Sequence, residues 1–152
     1  MRMLAPRRVV AGLDANGKSC VISDAPVDVP DSSAGPGVAN VWTGWLAAAD
    51  NAAPLAEGLA HFRIEQLAEP VYAMMVAEYA PGLGRDDPHM HFTNTADHFY
   101  VIEGEVVLVL ESGDVTLRAG DIGICRGVVH GWRNDSDRVA RLVTFVLPAN
   151  PL

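Results

Sequence analysis

Positive charge is scarce in this chain: 11 Lys and Arg stand against 19 Asp and Glu, a formal net charge of -8. Gripping a phosphate backbone needs cations gathered on one surface, and the Arg7-Arg8 pair is too short to supply them, so no nucleic-acid partner is expected. Long apolar runs are also missing. Nowhere do eighteen apolar residues follow one another, and residues 1–12 carry arginines without a continuous apolar core, so neither membrane spanning nor secretion is expected. Cysteine is limited to Cys20 and Cys125, without the close spacing of a disulfide framework. They read as two reduced, mostly buried thiols of a cytoplasmic protein. What remains is 152 residues, 49% of them hydrophobic, enough for one core and one globular domain.

Turn chemistry divides the chain. Arg8 to Leu13 and Ser19 to Ser23 flank Asp14-Ala15-Asn16-Gly17, and Asn-Gly between β-rich runs predicts a hairpin because both residues tolerate positive φ. Residues 24–37 hold Pro26, Pro30, Pro36, Gly35 and Gly37, a loop. Residues 38–45 return as a strand, and the alanine-rich 46–60, broken by Pro54 and Gly58, is either a short helix or a surface loop. From His61 onward strand follows strand: 62–67, 71–79, 89–92, 98–102, 106–110, 115–118, 122–125, 129–133 and 140–147, with turn residues between them. Short strands at this spacing without helices predict an all-β sandwich or barrel over 61–152, with 1–60 as an N-terminal hairpin and loop extension packed on it. Val106 to Leu110 is apolar on both faces, one to line the barrel and one to pack on a second sheet or subunit.

Within that region lies His89-Met90-His91, followed by Asp97 and, later, His130. Side chains at i and i+2 of a strand leave the same face, so His89 and His91 are placed to bind one metal ion, closed by His130 and Asp97. Neutral imidazoles suit first-row transition metals, and three or four protein ligands leave a coordination position open for water, dioxygen or a chelating substrate. Parity assigns the neighbours: His98 points away from the interior, Phe99 shares the face of Asp97, and Trp132 that of His130. Phe99, Trp132 and Arg126, whose planar fork suits a substrate carboxylate, are the candidate pocket residues. His61 lies outside the pattern.

These residues resemble the two-part signature of the cupin family. Gly84, His89, His91, Asp97 and Gly104 occupy the first part, and Gly120, Gly127, His130 and Asn134 the second. The resemblance covers residues 84–134 by motif and 61–147 as barrel. It departs in five places: Gly84 is one residue nearer His89 than usual, five residues separate His91 from Asp97 so that a slightly longer loop joins the strands, the stretch from Gly120 to Gly127 is one residue shorter than usual, Cys125-Arg126-Gly127 replaces Pro-x-Gly, and Asp97 stands where the family has glutamate. Aspartate is shorter by one methylene, about 1.5 Å of reach, so its role is either fourth ligand or general base.

The resemblance implies an antiparallel jelly-roll barrel, one divalent ion (Fe, Mn, Ni or Zn), a small-molecule substrate and a homodimer. Two function classes follow. One is a metal-dependent enzyme, a dioxygenase or a lyase, decarboxylase or isomerase acting on a small organic acid, diketone or aromatic. In it His89, His91 and His130 are ligands and Asp97 is ligand or catalytic base. The other is a non-catalytic cupin that holds a small ligand as sensor or carrier.

Overall fold

The computed structural model describes residues 7–26 and 72–151, which form nine strands and no helix. Residues 24–26, expected to open the loop over 24–37, instead continue the second strand; the rest of that expected loop, the strand at 38–45, the alanine-rich 46–60, His61 and the strand at 62–67 lie outside the described residues. Among the described residues no helix is long and apolar enough to cross a membrane.

β1 (Arg7–Leu13) and β2 (Ser19–Pro26) make the expected hairpin. Its turn is not a two-residue Asn-Gly turn, because only Gly17 takes a positive φ, +73°, while Asn16 does not. Asp14 organises the loop instead. Its Oδ1 accepts the N–H of Asn16 at 2.8 Å and of Lys18 at 2.9 Å, and its own N–H donates to the Lys18 carbonyl at 2.8 Å. An aspartate that satisfies the amides ahead of it holds a wider turn without a second left-handed residue.

The remaining strands are β3 (Ala73–Tyr79), β4 (Thr95–Glu103), β5 (Glu105–Leu110), β6 (Gly113–Arg118), β7 (Ile122–Arg126), β8 (His130–Arg133) and β9 (Ala140–Pro148). They form a six-stranded sheet, β2-β1-β7-β4-β9-β3, and a three-stranded sheet, β6-β5-β8. Pairing is antiparallel except between β1 and β7, which run parallel. The hairpin therefore widens the larger sheet.

Alternation decides what each face buries. On β4, Thr95, Phe99 and Val101 are buried, whereas Tyr100 and Ile102 are exposed. On β5, Val106, Leu108 and Leu110 are buried, and Val107 on the opposite face is buried too, as its doubly apolar sequence requires. Phe99, Val101, Leu108, Leu117 and Leu142 join Val9 in the core between the sheets. Each fully buried side chain of this size is worth about 1.5–3 kcal/mol. The start of β4 lies beside the end of β7, with Ala96 opposite Arg126, and β8 begins soon after, at His130. That common end of the barrel carries the site.

Candidate functional site

Asp97 lies one turn of the pleat inside β4. In the register it stands opposite Cys125 on β7 and Val146 on β9, so all three share the interior face. Thr95, two residues earlier on that face, donates its hydroxyl to Asp97 Oδ1 at 2.7 Å, and the Thr93 and Thr95 hydroxyls are 2.6 Å apart. Burial raises the Asp97 carboxyl above the ordinary carboxylate range; the Thr95 hydrogen bond and the nearby His130 and His91 act against it.

His130 opens β8 and is 4% exposed. Its Nδ1 is 2.9 Å from the Val128 carbonyl and 3.3 Å from Cys125 Sγ. A carbonyl only accepts, so Nδ1 carries the proton and, in the neutral ring, Nε2 keeps its lone pair. Burial holds the imidazole below the usual histidine range, which favours that neutral form. Burial, then the charge of Asp97, pushes the Cys125 thiol up to about 12, so it is a neutral packing partner of the ring and not a nucleophile.

His91 is joined to His130 by a reciprocal pair of backbone bonds, its N–H to the His130 carbonyl at 2.8 Å and the His130 N–H to its carbonyl at 2.9 Å. The two rings stand 4.6 Å apart. His91 Nδ1 is 2.7 Å from the His89 carbonyl, so this ring too is protonated at Nδ1 and offers Nε2.

His89 does not join them. The expected strand over 89–92 is reduced to the single bridge at His91, and His89 sits in a loop with φ +52°. Its side chain is 81% exposed, with Nδ1 3.6 Å from Asp87 Oδ2. The physical reason is local. Asp87 Oδ1 accepts the His89 N–H at 2.8 Å, and the Pro88 carbonyl accepts the N–H of Trp132 at 3.1 Å, which docks the loop on β8 and turns the His89 ring outward. The i, i+2 argument requires a strand, and residues 87–90 are not one.

The aromatic expectations divide. Phe99 is buried and meets Trp132 edge-on at 4.9 Å, while Trp132 stands 6.2 Å from His130 and 5.6 Å from Tyr79. They form an apolar shelf beneath the imidazoles. Arg126 is exposed and pairs with Ala96, on the face opposite Cys125 and Asp97, so it does not line the pocket as expected. His98 faces Ile124 and Phe145, away from the interior, as parity requires. Cys125 is the buried thiol the sequence suggests, whereas Thr95 and Tyr79 join the site beyond the expected residues. The alternation Thr93, Thr95, Asp97 was the available signal for Thr95. Tyr79, whose hydroxyl is pushed up to about 12 by burial and the Asp97 charge, gave none.

A cleft of about 660 Å³, lined by Asp87, His89, Met90, His91, Phe92 and Thr93, opens on His91 from solvent. Of His91, His130 and Asp97, only His91 lines this cleft. The donor chemistry suits a transition-metal ion in part: the imidazoles of His91 and His130, each backed by a carbonyl, leave Nε2 as donor. The expected set of three histidines with Asp97 is not assembled. Among the described residues, no three His, Cys, Asp or Glu side chains gather closely enough to hold an ion. The centre is a pair of imidazoles with a buried carboxylate beside them.

Comparison with known proteins agrees with this architecture. Residues 75–146 match the cupin domain model. "Oryzines biosynthesis cluster protein J" of Aspergillus oryzae is 40% identical over 77 residues, which are 49% of this chain and 41% of that protein. "Cupin-domain-containing oxidoreductase srdB" of Neurospora crassa is 42% identical over 77 residues, 49% of this chain and 38% of that protein. The chain thus spans about two-fifths of the length of these relatives. Among solved structures, an uncharacterised Klebsiella pneumoniae protein with a double-stranded β-helix domain is 28% identical, with a TM-score of 0.45 over 53% of this chain and 70% of that one. With nine strands in two sheets and the cupin domain model matched at residues 75–146, the described residues form an all-β cupin fold.

Proposed function

We propose that this cupin is a small-molecule oxidoreductase whose working groups are His91, His130 and Asp97, with one divalent ion (Fe, Mn, Ni or Zn) held by the two imidazoles. The observation that carries the reading is the matched pair of carbonyl contacts, Nδ1 of His91 on His89 and Nδ1 of His130 on Val128, which direct both Nε2 atoms to be donors. An ion bound there supplies Lewis acidity or electron transfer toward substrate oxygens. Oxidoreductase is preferred over the other cupin chemistries because of the Neurospora crassa relative's name, a match that covers 38% of that protein.

The chain's own residues have separable tasks. Thr95 fixes one oxygen of Asp97, so the carboxylate is oriented to accept a substrate proton and return it. Phe99 and Trp132 close the inner wall and exclude water from it. Phe92 and Met90, exposed on the cleft, offer apolar contact to the body of a substrate. The homodimer is assigned to the outer face of β4 and β9, where Tyr100, Ile102 and Phe145 are exposed.

Metal content tests the reading. Protein purified from cells supplied with Fe, Mn, Ni and Zn is expected to carry about one ion per chain, and His130→Ala should lower retention by roughly tenfold or more. Wild-type protein without metal under those conditions would overturn the reading.

A further inference from the structure

We infer that the cleft ahead of His91 is a subsite for an arylalkylamine, with Thr93 as the residue that selects a hydrogen-bond donor. The inference names a substrate class for the proposed function and rests on that reading only in taking this cleft as the way to His91. A chain of two hydroxyls gives the subsite its polarity. Thr95, 1% exposed, donates its one hydroxyl proton to Asp97 Oδ1 at 2.7 Å. The 2.6 Å contact between the Thr93 and Thr95 hydroxyls is therefore made by the proton of Thr93. Thr93 lines the cleft, and its Oγ1 is left with lone pairs alone. While the chain is intact this oxygen accepts and does not donate, so the ligand group that meets it is an N–H or an O–H.

Charge narrows the choice. Asp87, with its side chain 70% exposed, puts a carboxylate on the same lining, and among the described residues no lysine or arginine joins it. Arg126, the expected partner of a substrate carboxylate, is on the other face of β7. A ligand carboxylate would meet an acceptor and a like charge there, whereas an ammonium brings three donors, no acceptor and the opposite charge. Apolar walls await the body of the ligand. Phe92 is 61% exposed and Met90 39% exposed, and both line the cleft. Met90 lies over β8 because Gly131 has no Cβ: one built there would stand 2.9 Å from Met90 Sδ. The Trp132 N–H bond to the Pro88 carbonyl, 3.1 Å, and the paired backbone bonds of His91 and His130 hold the same segment on β8. An aromatic ring beside a thioether, in a concave and preformed site, suits an aryl group, and the face of the ring attracts a nearby cation.

Three probes that share an aryl body separate these chemistries: phenethylamine, phenethyl alcohol and phenylpropionate. Each is titrated at neutral pH into the metal-free, 15N-labelled full chain while the amide resonances are followed. Phenethylamine is expected to bind most tightly and to move the amides of Met90, Phe92 and Thr93, with phenylpropionate weaker by roughly tenfold or more. Thr93→Val keeps the shape and loses the hydroxyl; it should weaken the amine by about tenfold, while Thr93→Ser stays within about threefold of wild type. Asp87→Asn should narrow the gap between amine and carboxylate by about threefold or more. Wild-type protein that binds phenylpropionate as tightly as phenethylamine, that shifts elsewhere, or that answers to none of the three probes would overturn the inference, as would an undiminished affinity for the amine in Thr93→Val. The titration uses neither metal nor turnover, so purified protein without metal would overturn the oxidoreductase reading and leave this result standing.

Discussion

Asn134→Asp is expected to lower the free energy of unfolding by about 3–5 kcal/mol, although it exchanges only an amide NH2 for an oxygen. Asn134 is fully buried and every hydrogen-bonding position of its side chain is used. Nδ2 donates to the carbonyls of Tyr79 at 2.8 Å and Arg138 at 2.7 Å, and Oδ1 accepts the Ser136 N–H at 3.0 Å and its hydroxyl at 2.7 Å. Its backbone is engaged as well, with Leu83 and Gly82. One side chain thus closes the end of β3 and the β8–β9 connection. Aspartate would bury a charge and set an oxygen against two carbonyls that can only accept. The pH dependence has a definite sign. Burial raises the introduced carboxyl's pKa in the folded state, so the cost is present at neutral pH and fades as pH falls toward the unfolded value, about 4. Urea unfolding of wild type and variant at pH 7 and pH 4.5 measures both. In a fold worth about 5–15 kcal/mol the loss at pH 7 is a large share of the whole.

The second large effect is at the floor of the site. Gly123→Ala is expected to cost about 3 kcal/mol through overpacking. Gly123 pairs with Phe99 across β7 and β4, and the ring of Phe99 lies over it. A Cβ there would overlap Phe99 Cε2 and stand 2.5 Å from Cζ. The ring is 2% exposed and held edge-on against Trp132 at 4.9 Å, so it cannot move without disturbing the wall beneath His130. Phe99→Leu should recover part of the loss when combined with Gly123→Ala. Chemical denaturation of both single variants and the double variant measures the coupling, expected at about 1–2 kcal/mol, whereas additive losses would mean that ring and glycine do not meet.

Much of this fold is legible in the chain because its strands obey the two-residue period and its turns carry glycine. The apolar run at Val106 to Leu110 reads directly as β5, buried on both faces, and parity alone places Phe99 inward and His98 outward. The same parity, applied to Arg126 from its neighbour Cys125, puts it outside, whatever its guanidinium could bind. The placement of His89 off a strand has a different cause. Spacing of two residues implies a shared face only on a strand, and Asp87-Pro88 ahead of the histidine is turn chemistry that ends the strand before it begins. Asn16-Gly17 marks the hairpin correctly, and the side chain of Asp14 organises the loop around it. Partners distant in sequence, such as Tyr79 beside Trp132, follow only from strand order, which local pattern does not encode.

The central claim is that His91 and His130 are the working imidazoles and His89 is not. Long-range 1H–15N NMR of the histidine rings during Zn(II) titration tests it most directly, because it reads each of the five histidines separately. The Nε2 resonances of His91 and His130 are expected to move together to metal-bound positions at about one equivalent, while His89 and His98 stay where they were. Movement of His89 with them, or titration that leaves His91 and His130 unshifted, would contradict it.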